Sequence, residues 1–503
     1  MIQKLNIKVV LSIFILSVAL FSYSCKKTKV EPENTPPTEV AKKTTVSITS
    51  FTIEKKNNPQ LINDIVFEVK DNQMTANLSK FLFSVVPSFS SDASKVTLND
   101  KEQVSGNSLI DLRSDTVFSF FAENGKRYEY TLKINWNDSL PLIAINTDGA
   151  VPVTSKETYL KGNITIDGKG VFSNYSGTTQ IKGRGNSTWT LPKKPYRLKL
   201  DSKAPLFGLA EEKDWVLLAN YLDETHQLNN IAFFTAQKLG IPYTNHFIPV
   251  ELMINGKYLG LYLLTEQVEL DKNRINVGDG GVLLELDSYY DEDWKFKSDK
   301  YQLPVNVKDP KLANADQLAA IKANFQQMEN LVAASDFPKN NYLDYIDAES
   351  ISNFLIVFML TDNEEINHPK SVFMNKAANG KFVMGPVWDF DWAYGYEGTE
   401  KHFSHYQSFF WTGTKAKAGT RFFSRFLQDP VIVNLIKQKW AAFTTSNNLN
   451  DFVNDWTFIL EGARNRDYSL WKRGNINYQM DVSALNNWII NRISYLTTFI
   501  NGL

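Results

Sequence analysis

Apolar and polar side chains alternate with a period of two in short segments between residues 46 and 137, which is the pattern of half-buried β-strands. The dipeptide Asn124-Gly125 is a hairpin signal between two of these segments. We predict a small antiparallel, immunoglobulin-like β-sandwich over residues 46–137. Its predicted apolar positions are Ile48, Phe51, Ile53, Ile65, Phe67, Val69, Phe81, Phe83, Val85, Phe118, Phe120, Tyr128, Tyr130, Leu132 and Ile134.

Residues 140–503 form a second predicted domain, which begins with strand patterns and ends with helical ones. A hairpin is predicted around Asn255-Gly256, and GGVLLELDS reads as a buried strand. Apolar positions then recur every three to four residues, first around residues 231–239 and later along residues 318–332, 351–359 and 430–496, with loops at 446–450 and near Gly474. The fold class is therefore α+β, with a β-rich lobe, an α-rich lobe and a natural ligand cleft between them.

The first 25 residues have the pattern of a secretory signal. Lys4 and Lys8 precede an apolar run at residues 9–21 that is too short to span a bilayer comfortably. Cys25 follows directly and resembles the lipidated cysteine of a bacterial lipobox, whereas plain cleavage near Ser24 is the alternative. Residues 26–45 are polar and rich in proline, as expected of a flexible tether. We predict export to the bacterial cell envelope, with membrane contact through the lipid anchor only.

Composition narrows the possible functions. The 503 residues include 54 basic and 55 acidic side chains, and the net charge of -1 gives no support for binding nucleic acid. One cysteine excludes an intramolecular disulfide framework and any zinc site of several cysteines. The sequence also lacks a P-loop, a dinucleotide-binding glycine motif, a GxSxG elbow and an HExxH motif.

Positive charge is concentrated between residues 181 and 200, next to Gly183 and Gly185. Such cations beside a glycine turn are suited to phosphate oxygens, although an exposed basic hairpin is the alternative interpretation. Three acids lie on strands that are predicted to be buried, so they need cationic partners, and this segment offers them. The cations are Lys182, Arg184, Lys193, Lys194, Arg197 and Lys199, and the acids are Glu266, Glu285 and Asp287.

Asp389 and Asp391 lie two residues apart in GPVWDFDWAYG. On an extended strand both carboxylates would point to the same side and would repel one another without a cation between them. Mg²⁺ prefers such hard oxygen ligands when it also holds phosphate. The sequence therefore predicts a metal site here. The segment of residues 207–230 is instead expected to pack in the core, with Asp223 or Thr225 capping a helix.

Seven segments, in this order, resemble the CotH kinase family of secreted atypical kinases: KGRGNSTW, KKPYRLKL, KDWVLLANYLDET, VELMINGKYLGLYLLTEQVE, GGVLLELD, HPKSVFM and GPVWDFDWAYG. The resemblance covers residues 140–503 and implies a diverged protein-kinase-like fold with two lobes. It also implies an enzyme that binds ATP with Mg²⁺ or Mn²⁺ and transfers phosphate to protein hydroxyl groups.

The resemblance also implies residue roles. The basic segment would hold the phosphates, with Lys194, Arg197 and Lys199 favoured beside Lys182 and Arg184, and Glu266 would pair with one of these cations. Residues 283–287, with Glu285 and Asp287, would line the adenine side. Asp389 would be the principal metal ligand and Asp391 would assist it.

The family often carries an Asp before its last motif that accepts the proton of the substrate hydroxyl. This chain has TDNEEINHPKSVFM there, so Glu365 or Asp362 is the candidate base, and His368 is expected to be structural. The predicted function is an envelope-anchored protein kinase of Ser/Thr type with an unidentified protein acceptor. The alternative is a noncatalytic surface protein that binds a protein or glycan through the same scaffold.

Overall fold

The computed structural model describes residues 41–114, 116–407 and 416–503. The predicted signal peptide, the lipidation site Cys25 and residues 26–40 of the predicted tether lie outside the described residues.

Two facing sheets and a small strand pair form the predicted sandwich. The first sheet has the order β2-β1-β6, the second has the order β3-β4-β11-β10-β7-β8, and β5 pairs with β9. The strands are β1 (Ile48–Ile53), β2 (Ile65–Val66), β3 (Glu68–Lys70), β4 (Gln73–Ser79), β5 (Ser84–Val85), β6 (Pro87–Ser91), β7 (Lys95–Leu98), β8 (Lys101–Glu102), β9 (Ile110–Asp111), β10 (Thr116–Phe121) and β11 (Arg127–Asn137). The strand pairs of these sheets are antiparallel except for β4 and β11, which run parallel, and the immunoglobulin-like arrangement stays a prediction. The core is aromatic, with Phe51, Phe118 and Phe120 fully buried.

The next seven strands close into a barrel in the order β12-β13-β14-β15-β16-β18-β17. They are β12 (Leu142–Thr147), β13 (Leu160–Asp167), β14 (Tyr175–Gly183), β15 (Tyr196–Ala204), β16 (Glu212–Leu218), β17 (Ile248–Ile254) and β18 (Lys257–Glu266). Parallel pairing of β12 with β17 closes the barrel. Alternate residues point inward, as Ile164 and Ile166 of β13 do, and fill the barrel with apolar side chains. The predicted hairpin is confirmed, with both Asn255 and Gly256 at positive φ.

A five-stranded sheet and seven helices complete the described fold. The sheet has the order β20-β21-β19-β22-β23. Its strands are β19 (Val282–Leu286), β20 (Lys295–Lys297), β21 (Pro304–Asp309), β22 (Val372–Lys376) and β23 (Val383–Met384). The helices are α1 (Leu228–Leu239), α2 (Ala315–Ala333), α3 (Ala348–Thr361), α4 (Ala418–Phe423), α5 (Pro430–Ser446), α6 (Leu449–Trp471) and α7 (Tyr478–Gly502). Helix α3 is buried on all sides from Ser350 to Thr361, in agreement with the uninterrupted apolar run at residues 354–360.

The alternating apolar positions Phe81, Phe83 and Val85 predict a strand, and this prediction is wrong for the first half of the segment, because β5 begins at Ser84. Ser79 caps a 3₁₀ turn at Lys80–Leu82, which takes Phe81 off the strand path. Phe81 then packs edge-on against Trp456 of α6, and Phe83 packs against Phe458. The alternating aromatic pattern therefore reflects an interface with the rest of the chain as well as the sandwich core.

The α+β class is confirmed, and the predicted helices are observed at or near their expected positions. The described fold also contains a closed barrel, which the sequence did not predict, and the kinase-like arrangement of two lobes stays a prediction. Within the described residues, no helix has the length and apolar character needed to cross a bilayer.

Candidate functional site

A polar cleft of about 420 Å³ lies where the barrel meets the five-stranded sheet and the loops around α3. The barrel contributes the ends of β14 and β15, and the sheet contributes β19 and β21. The third wall comes from two loop segments and consists of Glu365, Lys370, Ser371, Trp388, Asp389, Asp391 and Trp392. Eight of the residues predicted as site residues line this cleft: Lys182, Arg184, Arg197, Glu285, Asp287, Glu365, Asp389 and Asp391.

The basic wall is formed by the antiparallel strands β14 and β15. Lys182 on β14 stands opposite Arg197 on β15 in the strand register. Gly183 is required here because a Cβ atom at this position would lie 2.3 Å from the ring of Trp189. Gly185 turns the chain with a φ of +85° and lets Arg184 reach the ring of Trp388, whose centroid is 5.3 Å from the guanidinium carbon. Local sequence thus places the cations at the cleft.

Some cations of this segment form ion pairs with carboxylates of the protein, and others do not. Lys193 is buried and lies 2.6 Å from Asp467, and Arg197 lies 2.7 Å from Asp214. Among the residues that the structure describes, Lys182 and Arg184 have no acidic oxygen within 4.0 Å. Among the cations of this segment that line the cleft, Lys182 and Arg184 are therefore the two available to an anionic ligand.

Lys194 and Lys199, which the resemblance favours for phosphate binding, do not line the cleft. Lys194 donates a hydrogen bond of 2.7 Å to the carbonyl oxygen of Trp189, and Lys199 is exposed on the outer face of β15. The sequence identifies a basic segment correctly but does not show which of its side chains turn toward the ligand.

The predicted pairing of buried acids with this basic segment is wrong for Glu266 and Glu285. Glu266 lies outside the cleft lining and is 2.6 Å from Nδ1 of His246. Glu285 lies 3.0 Å from Lys308, because β19 and β21 are neighbours and Glu285 stands opposite Asn306, two residues before this lysine. Burial raises the pKa of Glu285 to about 7, although Lys308 opposes the shift.

Asp287 is held by backbone donors rather than by a cation. Its carboxylate accepts hydrogen bonds from the backbone N–H of Tyr289 at 2.7 Å and of Ser371 at 3.4 Å. Burial raises its pKa despite these bonds. Ser371 also donates from its hydroxyl group to Asp389 at 3.5 Å, so one residue contacts both acids.

The sequence WDFD is not on a strand, contrary to the expectation for Asp389 and Asp391. Asp389 has a left-handed φ of +64°, and Asp391 begins a series of turns. Asn229 of α1 fixes the geometry: its side-chain oxygen accepts from the N–H of Phe390 at 3.0 Å, and its amide donates to Asp391 at 2.9 Å. Tertiary contacts, not strand periodicity, bring the two carboxylates into the cleft.

The carboxylates of Asp389 and Asp391 are costly to ionise in the cleft. Burial raises the pKa of Asp389, and burial followed by repulsion from Asp389 raises the pKa of Asp391 to about 7. Within the part of the chain that is described, no side-chain nitrogen of Lys, Arg or His lies within 4.0 Å of either carboxylate. A cation would offset the cost of ionising both groups.

The donor set fits magnesium bound together with a phosphate. Residues 41–114, 116–407 and 416–503 contain no group of three or more His, Cys, Asp or Glu side chains placed to hold a metal alone. Mg²⁺ commonly uses only one or two protein carboxylates and completes its six ligands with phosphate oxygens and water. Asp389 and Asp391 meet this smaller requirement.

The two candidates for the general base occupy different environments. Glu365 lines the cleft, and its N–H donates to the side chain of Asn363 at 3.1 Å. Burial, followed by repulsion from Asp389, raises the pKa of Glu365 well above its usual range. Asp362 is instead fully buried, 3.0 Å from Arg492, and does not line the cleft.

Several polar residues that line the cleft were not assigned a role from the sequence, among them Asn229, Lys308, Lys370 and Ser371. Lys370 lies 3.4 Å from Glu365, and its ammonium group lies over the ring of Trp392. Lys370 and Ser371 fall inside the quoted segment HPKSVFM, so the signal was present in the chain. Asn229 gave no such signal, because its partners are about 160 residues away in sequence.

A cleft that joins unpaired cations to buried carboxylates is suited to a phosphorylated ligand and a divalent metal. The chain matches the sequence model described as CotH kinase protein over residues 181–496. This match covers more than half of the chain, so the protein belongs to the CotH kinase family. No curated protein matches it.

Proposed function

We propose that the cleft binds ATP with Mg²⁺ or Mn²⁺ and that the protein transfers the γ-phosphoryl group to a hydroxyl group of an acceptor protein. One observation carries this proposal. Lys182 and Arg184 on one wall face the cleft without acidic partners, and Asp389 and Asp391 on the other wall lack cationic partners within 4.0 Å, in the described residues. A phosphate group and a metal ion are complementary to these two sets.

The cations and the acids of the cleft have different roles in the proposed reaction. Lys182 and Arg184 donate hydrogen bonds to phosphate oxygens, and the guanidinium can do so in a bidentate manner. A divalent cation held by Asp389 and Asp391 would supply further positive charge beside the phosphate oxygens. Positioning and charge neutralisation provide most of the acceleration in phosphoryl transfer, so few further groups are needed.

Glu365 is the proposed general base, because it lines the cleft and Asp362 does not. The oxygen of the acceptor hydroxyl forms a bond to the γ-phosphorus, and the bond from that phosphorus to the β–γ bridging oxygen breaks. ADP leaves with the electron pair, and the hydroxyl proton passes to the carboxylate of Glu365.

Thermal unfolding of residues 26–503 tests the nucleotide site. ATP with Mg²⁺ or Mn²⁺ at about 100 times its Kd is expected to stabilise the fold by about 2.7 kcal/mol. Asp389→Asn should lose the metal-dependent part, whereas Asp148→Asn, a change of an exposed acid, should keep it. Absence of any nucleotide effect in the unsubstituted protein would contradict the kinase proposal and favour the noncatalytic binding protein.

Transfer itself is tested with γ-³²P-labelled ATP and dephosphorylated casein as a generic acceptor of protein hydroxyl groups. Acid-stable label on serine or threonine of casein, lost in Glu365→Gln, is the expected result. Hydrolysis of ATP with no labelled protein would contradict transfer to a protein hydroxyl.

We also propose that the protein is exported and held at the bacterial cell envelope by a lipid on Cys25. The basic, apolar and cysteine pattern of residues 1–25 supports this proposal. Growth with radiolabelled palmitate should label the protein and leave Cys25→Ser unlabelled and released from the membrane fraction. Equal labelling of both proteins would contradict it.

A further inference from the structure

Lys370 is a cation inside the cleft that interacts with two acids, Glu365 and Asp389. Its Nζ lies 3.4 Å from Oε1 of Glu365, and its side chain is 18% exposed. Its charge also acts on Asp389, whose electrostatic partners are Arg184 and this lysine. Lys370 therefore places positive charge beside Glu365 and Asp389, whereas the charges that act most on Asp391 are those of Asp389, Asp223 and Arg184.

Two aromatic rings restrict this lysine. The ammonium nitrogen is 4.5 Å from the ring centroid of Trp392 and 5.3 Å from that of Tyr289, and both rings line the cleft. Cation–π contacts of this kind favour a desolvated ammonium group and limit the conformations of a side chain that is flexible at most surfaces. The charge is thus held in one place before any ligand binds.

The position of Lys370 in the chain has a direct counterpart in phosphoryl-transfer chemistry. Lys370 follows the proposed base Glu365 by five residues. In the catalytic loop of protein kinases, written H-R-D-x-x-x-x-N, an asparagine follows the base by the same interval and holds one of two Mg²⁺ ions. An ammonium group has three donors and no acceptor, so Lys370 cannot ligate a metal there.

We propose that the ammonium group of Lys370 takes the place of a second divalent cation, so that the cleft works with one metal ion, held by Asp389 and Asp391. Lys370 then contacts the phosphoryl group during transfer and keeps the carboxylate of Glu365 close to the acceptor hydroxyl. This inference rests on the proposed kinase function. Lys370 supplies a fixed positive charge at the chain position where the protein-kinase catalytic loop has an asparagine that binds the second metal ion.

Counting bound metal ions tests the inference without measuring turnover. Mn²⁺ is titrated into residues 26–503 with a saturating nonhydrolysable imido analogue of ATP, and free Mn²⁺ is followed by electron paramagnetic resonance. We expect one protein-dependent Mn²⁺ in the unsubstituted chain and in Lys381→Asn, which changes an exposed lysine. We expect two in Lys370→Asn, since an amide oxygen at this position can act as a ligand.

Kinetics provide the second measurement. Lys370→Met should lower kcat by about 100-fold and change the Kd of the ATP analogue by less than about threefold, because the fixed charge acts mainly during transfer. Lys370→Arg, which keeps the charge, should restore part of the loss.

The outcomes separate the two proposals. Two Mn²⁺ ions in the unsubstituted protein, one ion in Lys370→Asn, or unchanged kcat in Lys370→Met would overturn the role of Lys370 while leaving the kinase proposal in place. A protein that binds neither the ATP analogue nor Mn²⁺ would overturn the proposed function, and the inference with it.

Discussion

The two walls of the cleft are built by different means. Lys182 and Arg197 project from paired strands whose alternate residues, such as Ile181 and Leu198, fill the barrel. The opposite wall consists of irregular segments in which non-glycine residues such as Ser371 and Asp389 have positive φ. Such conformations are uncommon and persist when surrounding contacts enforce them. Strand alternation thus places Lys182 and Arg197, whereas distant contacts place Asp389 and Asp391.

The contacts that hold the acidic wall come from two asparagines. Asn229 of α1 binds both the backbone of Phe390 and the side chain of Asp391. Asn363 donates to the carbonyl oxygen of Asp389 at 3.3 Å and accepts from the N–H of Glu365. The base candidate and the metal-ligand candidate are therefore connected through one side chain. Changes on this wall are expected to affect chemistry more than changes on the basic wall do.

The largest expected effect follows from removing the proposed base. Glu365→Gln keeps the size of the side chain and its place beside Lys370, but cannot accept the hydroxyl proton. We expect kcat to fall by about 10²- to 10⁴-fold while the Kd of ATP changes little. Steady-state kinetics with labelled ATP and calorimetry of nucleotide binding check both parts. A variant with unchanged kcat would remove Glu365 from the reaction.

Asp362→Asn should act on folding instead. The ion pair with Arg492 has both side chains fully buried at 3.0 Å, and the substitution removes one charge of this buried pair. We expect the free energy of unfolding to fall by about 3 to 5 kcal/mol, measured by urea unfolding. Asp148→Asn serves as the exposed control. Normal stability together with a large loss of kcat would instead identify Asp362 as the base.

The features that could be predicted from the sequence are those set by local pattern, and the features that could not are those set by distant contacts. Periodicity predicted the helices at residues 318–332 and 430–496 and the hairpin at Asn255-Gly256, because these depend on local pattern. Closure of the barrel depends on parallel pairing of β12 with β17, which are more than 100 residues apart, and nothing local signals it. The candidate acids were recognised by type and spacing.

The environments of the candidate acids required the structure. Glu266 and Glu285 are both acids on buried strands, yet only Glu285 lines the cleft. The carboxylate of Glu266 contacts the ring of His246, and the carboxylate of Glu285 forms an ion pair with Lys308. The choice between such partners is made by neighbouring strands and loops, so the sequence predicted the need for a cation but not which one.

The pH dependence of the free energy of unfolding should show how much it costs to ionise the buried carboxylate of Asp391. Burial and repulsion from Asp389 raise the pKa of Asp391 to about 7 from its ordinary value of 3.8. Between these pH values the folded chain holds a proton that the unfolded chain has lost, so stability should fall as pH rises from about 4 to about 7. Asp223 adds to the repulsion, and Asn229 and Arg184 oppose it.

Asp391→Asn removes this titration. In the absence of metal, the variant should show a flatter stability curve and should exceed the unsubstituted protein above pH 7 by about 2 to 4 kcal/mol. Urea unfolding at a series of pH values measures the difference, and Asp148→Asn should follow the unsubstituted curve. Equal slopes for Asp391→Asn and the unsubstituted protein would show that the carboxylate ionises without penalty.

The smallest expected effect concerns the basic wall, where two cations of one segment can be compared. Arg184 faces the cleft beside Trp388, whereas Lys194 donates to the carbonyl oxygen of Trp189. Loss of charged hydrogen bonds to phosphate costs about 1.5 to 3 kcal/mol, so Arg184→Ala should weaken ATP binding by about 10- to 100-fold. Lys194→Ala should change the Kd of ATP less than about twofold, although the two residues lie in the same basic segment.

Calorimetric titration with ATP and Mg²⁺ measures the Kd of both variants. Equal losses would mean that the overall positive charge of the segment matters more than the direction of each side chain, and the contrast between the two walls would then disappear.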